Sequence, residues 1–206
     1  MHTIEWKITT GCERLSPGCD NCPTYWQAKK ENKEYEAKFN PSVLIAPLMN
    51  NVPSLYLVSS GSDLFHGAIT ADQILKVFEV MTDARQHKFE IVTKRAERLE
   101  SIAERVIKSS WGNNITVGVA VEEAKYNWRI DSLRKVKARR MVSFGPMVGR
   151  IGPVNLEGIE SVGVVVEHWG PNPREVDPKW IEEIQEQCES QGVKFLDNYF
   201  LCEGVA

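Results

Sequence analysis

The sequence predicts an α/β fold, a partial and open-sided (β/α) barrel of about six to seven parallel strands. Three observations predict it. Short β-rich runs alternate with helical stretches along nearly the whole chain, the pattern of a parallel sheet with helical crossovers. Ser161 to Val166 is apolar without alternation, as expected of a strand covered on both faces. The chain has 206 residues, short of the about 250 that a closed eight-stranded barrel usually takes. A doubly wound open sheet is the alternative, but no strand–GxGxxG–helix dinucleotide fingerprint is present.

Each element has its own signal. Ile4 to Ile8 reads as the first strand, and a cysteine-bearing loop follows it. Tyr25 to Phe39 reads as a polar helical segment. Asn40 to Pro53, punctuated by Pro and Asn, reads as a connection within the domain. Leu55 to Val58 is the second strand. Ala71 to Ala84 is a helix, with Ile74, Val77, Phe78 and Met81 on one face and Thr70 as N-cap. Phe89 to Val92 is a strand, followed by a helix from Ala96 to Ser109. Ile115 to Val121 is a strand, Tyr126 to Val136 a helix and Arg140 to Phe144 a strand. After Ser161 to Val166 comes the helix Pro178 to Gln191. Pro178 suits its first turn and Gly192 its end. Val193 to Leu196 is the last strand. No linker or repeat divides the chain, so residues 1–206 are expected to form one domain.

Composition excludes some classes. No run of about 18 apolar residues exists to span a membrane. The N-terminus lacks a basic-then-apolar leader pattern, so a cytoplasmic location is expected, where thiols stay reduced. A net charge of −3 argues against a surface coated in positive charge for non-specific DNA binding. It leaves room for local basic runs: Lys94-Arg95 with Arg98, and Arg134-Lys135 with Lys137, Arg139 and Arg140. These could hold nucleic-acid phosphates or be solvated faces.

Three of the five cysteines, Cys12, Cys19 and Cys22, lie in the loop Thr10 to Cys22. In a reducing compartment such clustering points to a metal or a cluster rather than to disulfides. A structural zinc site wants a fourth ligand, for which His2, His66, Cys188 and Cys202 are candidates at unusual spacing. Three thiolates alone suit a 4Fe-4S cluster with one iron left open to S-adenosylmethionine, whose reductive cleavage gives a 5′-deoxyadenosyl radical. Structural thiols are the third reading. Cys188, on a helix, reads as a buried small hydrophobe.

Ligands of (β/α) folds bind at the C-terminal ends of the strands. Here those ends carry the three cysteines, then Ser60, Ser62, Asp63 and His66, then Thr93, Lys94 and Arg95. Glu122 and Glu123, Ser143, Glu167 and His168, and Asp197 and Asn198 follow. Polar residues gather wherever strands meet loops, so no single one decides. The set places thiols, carboxylates, cations and histidine at one mouth.

The segment Trp6 to Cys12 with Ser16 to Cys22 resembles the signature of a bacteriophage and bacterial three-cysteine-motif family that is radical-SAM-like and of largely unassigned function. The similarity continues through Asn40-Pro41, Ala46 to Leu48, Ser62 to His66, Thr93 to Arg98, Val117 to Glu122 and Asp177 to Val193. The resemblance implies a partial barrel, a cluster liganded by Cys12, Cys19 and Cys22, bound S-adenosylmethionine, and adjacency to phage nucleic acid. Ser60, Ser62 and Asp63 would meet its amino group or ribose, and Thr93 and Lys94 its carboxylate. Glu122 and Arg129 would frame the adenosyl moiety. Glu167, His168 and Asn198 would face a substrate such as a modified nucleobase in DNA, with a flavodoxin-like or chemical reductant as electron donor. Four positions depart from the family. Pro23 replaces Tyr, and Ser143-Phe144-Gly145-Pro146 stands where the family has Ser-x-Glu-Pro. Val166-Glu167-His168 replaces Gly-Gly-Glu, and Asp197-Asn198 or Asn198-Tyr199 replaces Lys-Gln. These departures imply retained cofactor handling with a specialised substrate side, or lost catalysis. The rival is a non-catalytic zinc- or cluster-stabilised module that binds nucleic acid or a partner.

Overall fold

The computed structural model describes residues 1–106, 112–170 and 172–196. Seven parallel strands form one curled sheet, a half-barrel flanked by helices. They are β1 (His2–Trp6), β4 (Ser54–Val58), β5 (Lys88–Thr93), β6 (Ile115–Ala120), β7 (Arg139–Phe144), β8 (Ser161–Val164) and β9 (Lys194–Leu196). Between β1 and β4 lie the short β2 (Thr9–Thr10) and β3 (Lys38–Phe39), and the helices α1 (Pro23–Lys30) and α2 (Ala46–Met49). The crossovers are α3 (Ala71–Asp83), α4 (Ala96–Val106), α5 (Trp128–Arg134) and α6 (Pro178–Gln191). Spatial order follows chain order, β1-β4-β5-β6-β7-β8-β9.

Alternation decides which residues reach the core. On β5, Phe89, Ile91 and Thr93 are buried while Glu90 and Val92 are half-buried. Phe89 and Ile91 join Trp6, Tyr56, Val117, Val119, Val142 and Phe144 in a core shared with Ile74, Val77, Met81, Leu99, Leu133 and Ile184 of the helices. Each such side chain contributes about 1.5–3 kcal/mol, which is how amphipathic helices of modest intrinsic stability are held. Thr70 and Gln73 close a reciprocal capping box on α3. Asp177 caps α6, and Gly192 ends it in the left-handed conformation at φ 67°. Cys188 is fully buried on α6, as its sequence context predicts. No helix among the described residues is long and apolar enough to cross a membrane.

The structure departs from expectation around the first loop. β1 ends at Trp6, not Ile8, because the Trp6 carbonyl accepts from both Ile8 N (2.8 Å) and Ser59 N (3.0 Å), turning the chain out of the sheet. The helical segment expected over Tyr25 to Phe39 stops at Lys30. Asn32 takes a left-handed φ of 51°, and the chain returns so that Lys38–Phe39 pairs antiparallel with Thr9–Thr10. A small ribbon therefore supports the cysteine loop. The helix expected over Tyr126 to Val136 is shorter, a 3-10 turn at Ala124–Tyr126 leading into α5. Ser109, Asp197, Asn198 and Cys202 lie outside the described residues.

Candidate functional site

The cysteine loop is folded over the C-terminal ends of the strands by two close approaches of backbone. Gly11 adopts φ 67°, and a Cβ there would lie 2.0 Å from the Glu36 carbonyl oxygen, so only glycine fits against the returning chain. Gly18, in the 3-10 turn Pro17–Cys19, sits on the Glu122 side chain; a Cβ would come within 2.6 Å of Glu122 Cγ and 2.9 Å of Lys94 Nζ. Cys22 N bonds the Cys19 carbonyl at 3.3 Å, and α1 begins at the next residue.

All three thiols open onto one cleft of about 950 Å³, partly continuous with solvent. Ser60, Ser62, Asp63, Thr93 and Lys94 line it too, so eight of the residues predicted for cofactor or metal binding meet there. Each sulfur has a polar neighbour. Lys94 Nζ is 3.4 Å from Cys19 Sγ, and Arg95 Nη1 is 3.8 Å from Cys12 Sγ. The Thr24 and Tyr35 hydroxyls are 3.2 Å and 3.6 Å from Cys22 Sγ. Burial pushes the Cys12 thiol up to about 11, with Asp63 adding to this and Arg95 opposing it. Burial also works against a Cys19 thiolate, but Lys94 and hydrogen bonds at Leu15 and Ser16 outweigh it and hold that thiol below its ordinary value. Burial raises the Tyr35 hydroxyl, and the neighbouring Cys22 raises it further.

Two ionic groups underlie the loop. Asp63 accepts from Thr93 Oγ1 at 2.8 Å and from Arg95 Nη1 at 2.7 Å, and Arg95 reaches on to Glu13 at 2.9 Å. Glu122, fully buried, pairs with Lys94 Nζ at 2.8 Å and Arg129 Nη1 at 2.7 Å and accepts from the Ser16 hydroxyl. Burial alone would raise the Glu122 carboxyl; the two cations and the Ser16 and Lys94 hydrogen bonds hold it below its ordinary value. Glu122 and Arg129, expected to frame a ligand, do not line the cleft. They form the buried support on which Gly18 and Lys94 rest.

Ser60 and Ser62 are also engaged: Ser60 Oγ donates to Glu5 at 2.6 Å and Ser62 Oγ to the Thr9 carbonyl at 2.8 Å, tying the loop after β4 to β1 and β2. Glu167 and His168, expected to face the substrate, do not line the cleft either. The Glu167 carboxylate is held by Asn21 Nδ2 at 2.8 Å and by the Arg174 guanidinium, which also donates to the Pro17 carbonyl at 2.9 Å. Burial opposes ionisation of Glu167, and Arg174 and Asn21 overcome it, so its carboxyl lies below the ordinary range. His168 is exposed, with its ring 4.5 Å from that of Trp169. Trp169 is the residue of this segment that faces the cleft. Asn198 lies outside the described residues.

Several site residues carried no sequence signal. Asn21 reaches Glu167 and Arg174 reaches the Pro17 carbonyl across more than a hundred positions, and Trp169 lines the cleft. Glu90 sits in mid-strand, where the alternation on β5 could have placed it on the concave wall; it lines the cleft with Leu57 and Val92. Most cations of the two basic runs are engaged, Lys137 being the exception among the described residues. Lys94 and Arg95 are in the ion pairs above, and Arg98 donates to the Ile69 carbonyl at 2.6 Å. Arg134 pairs with Asp131, Lys135 with Glu100 and Arg139 with Glu160, while Arg140 donates to the Arg134 carbonyl.

Among the described residues no three His, Cys, Asp or Glu side chains already stand in metal-ligand array. The donor set nevertheless fits a thiophilic metal or an iron–sulfur cluster: three sulfurs on one loop, facing one cleft, each beside a cation or hydroxyl that offsets thiolate charge. Among the described residues no fourth cysteine lines the cleft. The chain belongs to the family described as "Protein of unknown function (DUF5131)", whose profile matches residues 2–200. No curated protein and no solved structure matches it.

Proposed function

From that membership and that cleft, we propose that the chain is a radical S-adenosylmethionine enzyme. Cys12, Cys19 and Cys22 hold a 4Fe-4S cluster, and the substrate is a nucleobase or nucleotide of the kind modified in phage DNA. The observation that carries the reading is the convergence of three thiols on a cleft at the C-terminal ends of a half-barrel's strands, the ligand-binding end of such folds. When bound, the cluster and S-adenosylmethionine supply an electron transfer that yields a 5′-deoxyadenosyl radical.

The chain's own residues hold, orient and shield. Lys94 and Arg95 place fixed positive charge beside Cys19 and Cys12, stabilising thiolate ligands. Thr24 and Tyr35 do the same for Cys22 through hydroxyls. Ser60, Ser62, Asp63 and Thr93 present polar atoms on the wall where the amino and carboxylate ends of the cofactor would be read. Trp169, Pro146 and Val165 form an apolar wall that limits water at the reacting end. One observation favours the rival reading of a metal-stabilised binding module. Glu122 and Glu167 are both locked in ion pairs, so neither acts as a ready proton donor or acceptor.

Anaerobic reconstitution with iron and sulfide separates the two. The enzyme turns brown, with thiolate-to-iron absorbance, and releases 5′-deoxyadenosine when S-adenosylmethionine and a reductant are added. A colourless protein retaining one tightly held zinc and releasing no deoxyadenosine overturns the proposal.

A further inference from the structure

We propose that α1 and the cysteine loop form a docking face for single-stranded DNA that leads onto the rim of the cleft. α1 buries none of its residues, yet it carries Tyr25 and Trp26, both half-exposed. The helix has no core to pack, so its aromatic pair is available to an outside partner. The two rings lie 5.8 Å apart in an edge-to-face arrangement, and Tyr25 is 5.6 Å from Tyr35. Cations flank them: Lys29 Nζ is 4.5 Å from the Trp26 ring centre, and the Arg14 guanidinium, itself paired with Asp20, is 5.9 Å from that of Tyr25. Lys29 and Lys30 are exposed and have no ion-pair partner among the described residues, whereas the cations of the two longer basic runs, Lys137 apart, are paired or bonded to carbonyls.

Aromatic rings beside two unneutralised lysines are what a flexible polyanion with stackable bases needs. An acidic protein surface would use the lysines but not the rings. The position matters as much as the composition. Pro23 opens α1 and, with Cys22, lines the cleft. Trp26 Nε1 donates to the Asp20 carbonyl at 2.9 Å, so the aromatic pair is fixed to the loop that bears the thiols. A strand lying along α1 would therefore present a base at the cleft without a duplex having to be opened there. The choice of DNA rests on the proposed function; the choice of a single strand rests on the rings and cations.

The test needs neither cofactor nor turnover, so it fails or succeeds separately from deoxyadenosine release. Binding of the full chain to a labelled oligodeoxythymidylate is followed by anisotropy over a salt series, with duplex DNA and oligouridylate alongside. Trp26→Ala is expected to weaken binding about tenfold or more. Lys29→Ala/Lys30→Ala is expected to flatten the log–log salt slope by about 1.4, at about 0.7 per phosphate contact. The surface double variant keeps the test valid if Trp26→Ala fails to fold. An unchanged slope in the double variant, tighter binding of the duplex or of oligouridylate, or no binding to the oligodeoxythymidylate overturns the proposal.

Discussion

The Lys94 ammonium stands 3.4 Å from the Cys19 sulfur, on the underside of the loop that carries it. The same ammonium is 2.8 Å from Glu122, so the charge beside the sulfur is fixed by a carboxylate that is itself buried. Burial opposes a charged Lys94, but Glu122 and Cys19 more than compensate, and its pKa lies above the ordinary value.

Glu122→Gln leaves Lys94 and Arg129 buried without their counter-charge. Stability is expected to fall by about 3–5 kcal/mol, read as a lower denaturant midpoint. Lys94→Met should cost less, because Arg129 stays paired with Glu122. The pH dependence follows in sign. Glu122 has a folded pKa below its ordinary value of 4.5. Its contribution is therefore complete above that value and is lost as pH falls through the folded pKa. Wild type should lose this component in acid, and Glu122→Gln should lack it at every pH.

Gly18→Ala adds a Cβ 2.6 Å from Glu122 Cγ. The buried carboxylate cannot retreat, so the loop must lift. The expected cost is about 1–3 kcal/mol, together with poorer retention of iron after reconstitution although all three cysteines remain. Iron analysis alongside thermal unfolding checks both halves.

Arg174→Met removes the group that joins Glu167 to the Pro17 carbonyl. Amide exchange across residues 12–22 is expected to quicken about tenfold, equivalent to about 1.4 kcal/mol of local stability. Exchange in α6 should stay as it is. Equal acceleration in both regions would mean that Arg174 supports the whole domain rather than the loop.

Cys188 is fully buried on α6 and its thiol is pushed up to about 11, chiefly by burial. It is expected to resist alkylation in the native protein and to react on unfolding. Cys188→Ser should leave the iron content unchanged, whereas serine at Cys12, Cys19 or Cys22 should reduce it. Mass spectrometry of alkylated peptides and iron analysis measure the two effects.

What could be read from sequence was what local pattern encodes. The strands declare themselves by apolar runs, α3 by Thr70 and its spaced core face, and α6 by Pro178 and Gly192. The first loop was misjudged where local pattern and tertiary pairing conflict: residues 31–37 look helical in composition, but Asn32 turns the chain and the pairing of Lys38–Phe39 with Thr9–Thr10 takes over. Strand-end position correctly gathered Ser60, Ser62, Asp63, Thr93 and Lys94 at the cleft. It could not tell a lining residue from a support, because nothing local shows that Arg129 and Arg174, each seven positions on, fold back onto Glu122 and Glu167. The partners of the basic runs were equally hidden, since Glu100 and Glu160 lie on neighbouring elements.

The clasp closed by Arg174 gives the site a timetable. Pro17 and Arg174 are 157 positions apart, and the spatial order of the strands follows their order along the chain. At synthesis rates of about 5–20 residues per second, the thiols precede their clasp by roughly 8–30 s. During that interval all three cysteines of the loop have been made, but the residue that fastens the loop has not.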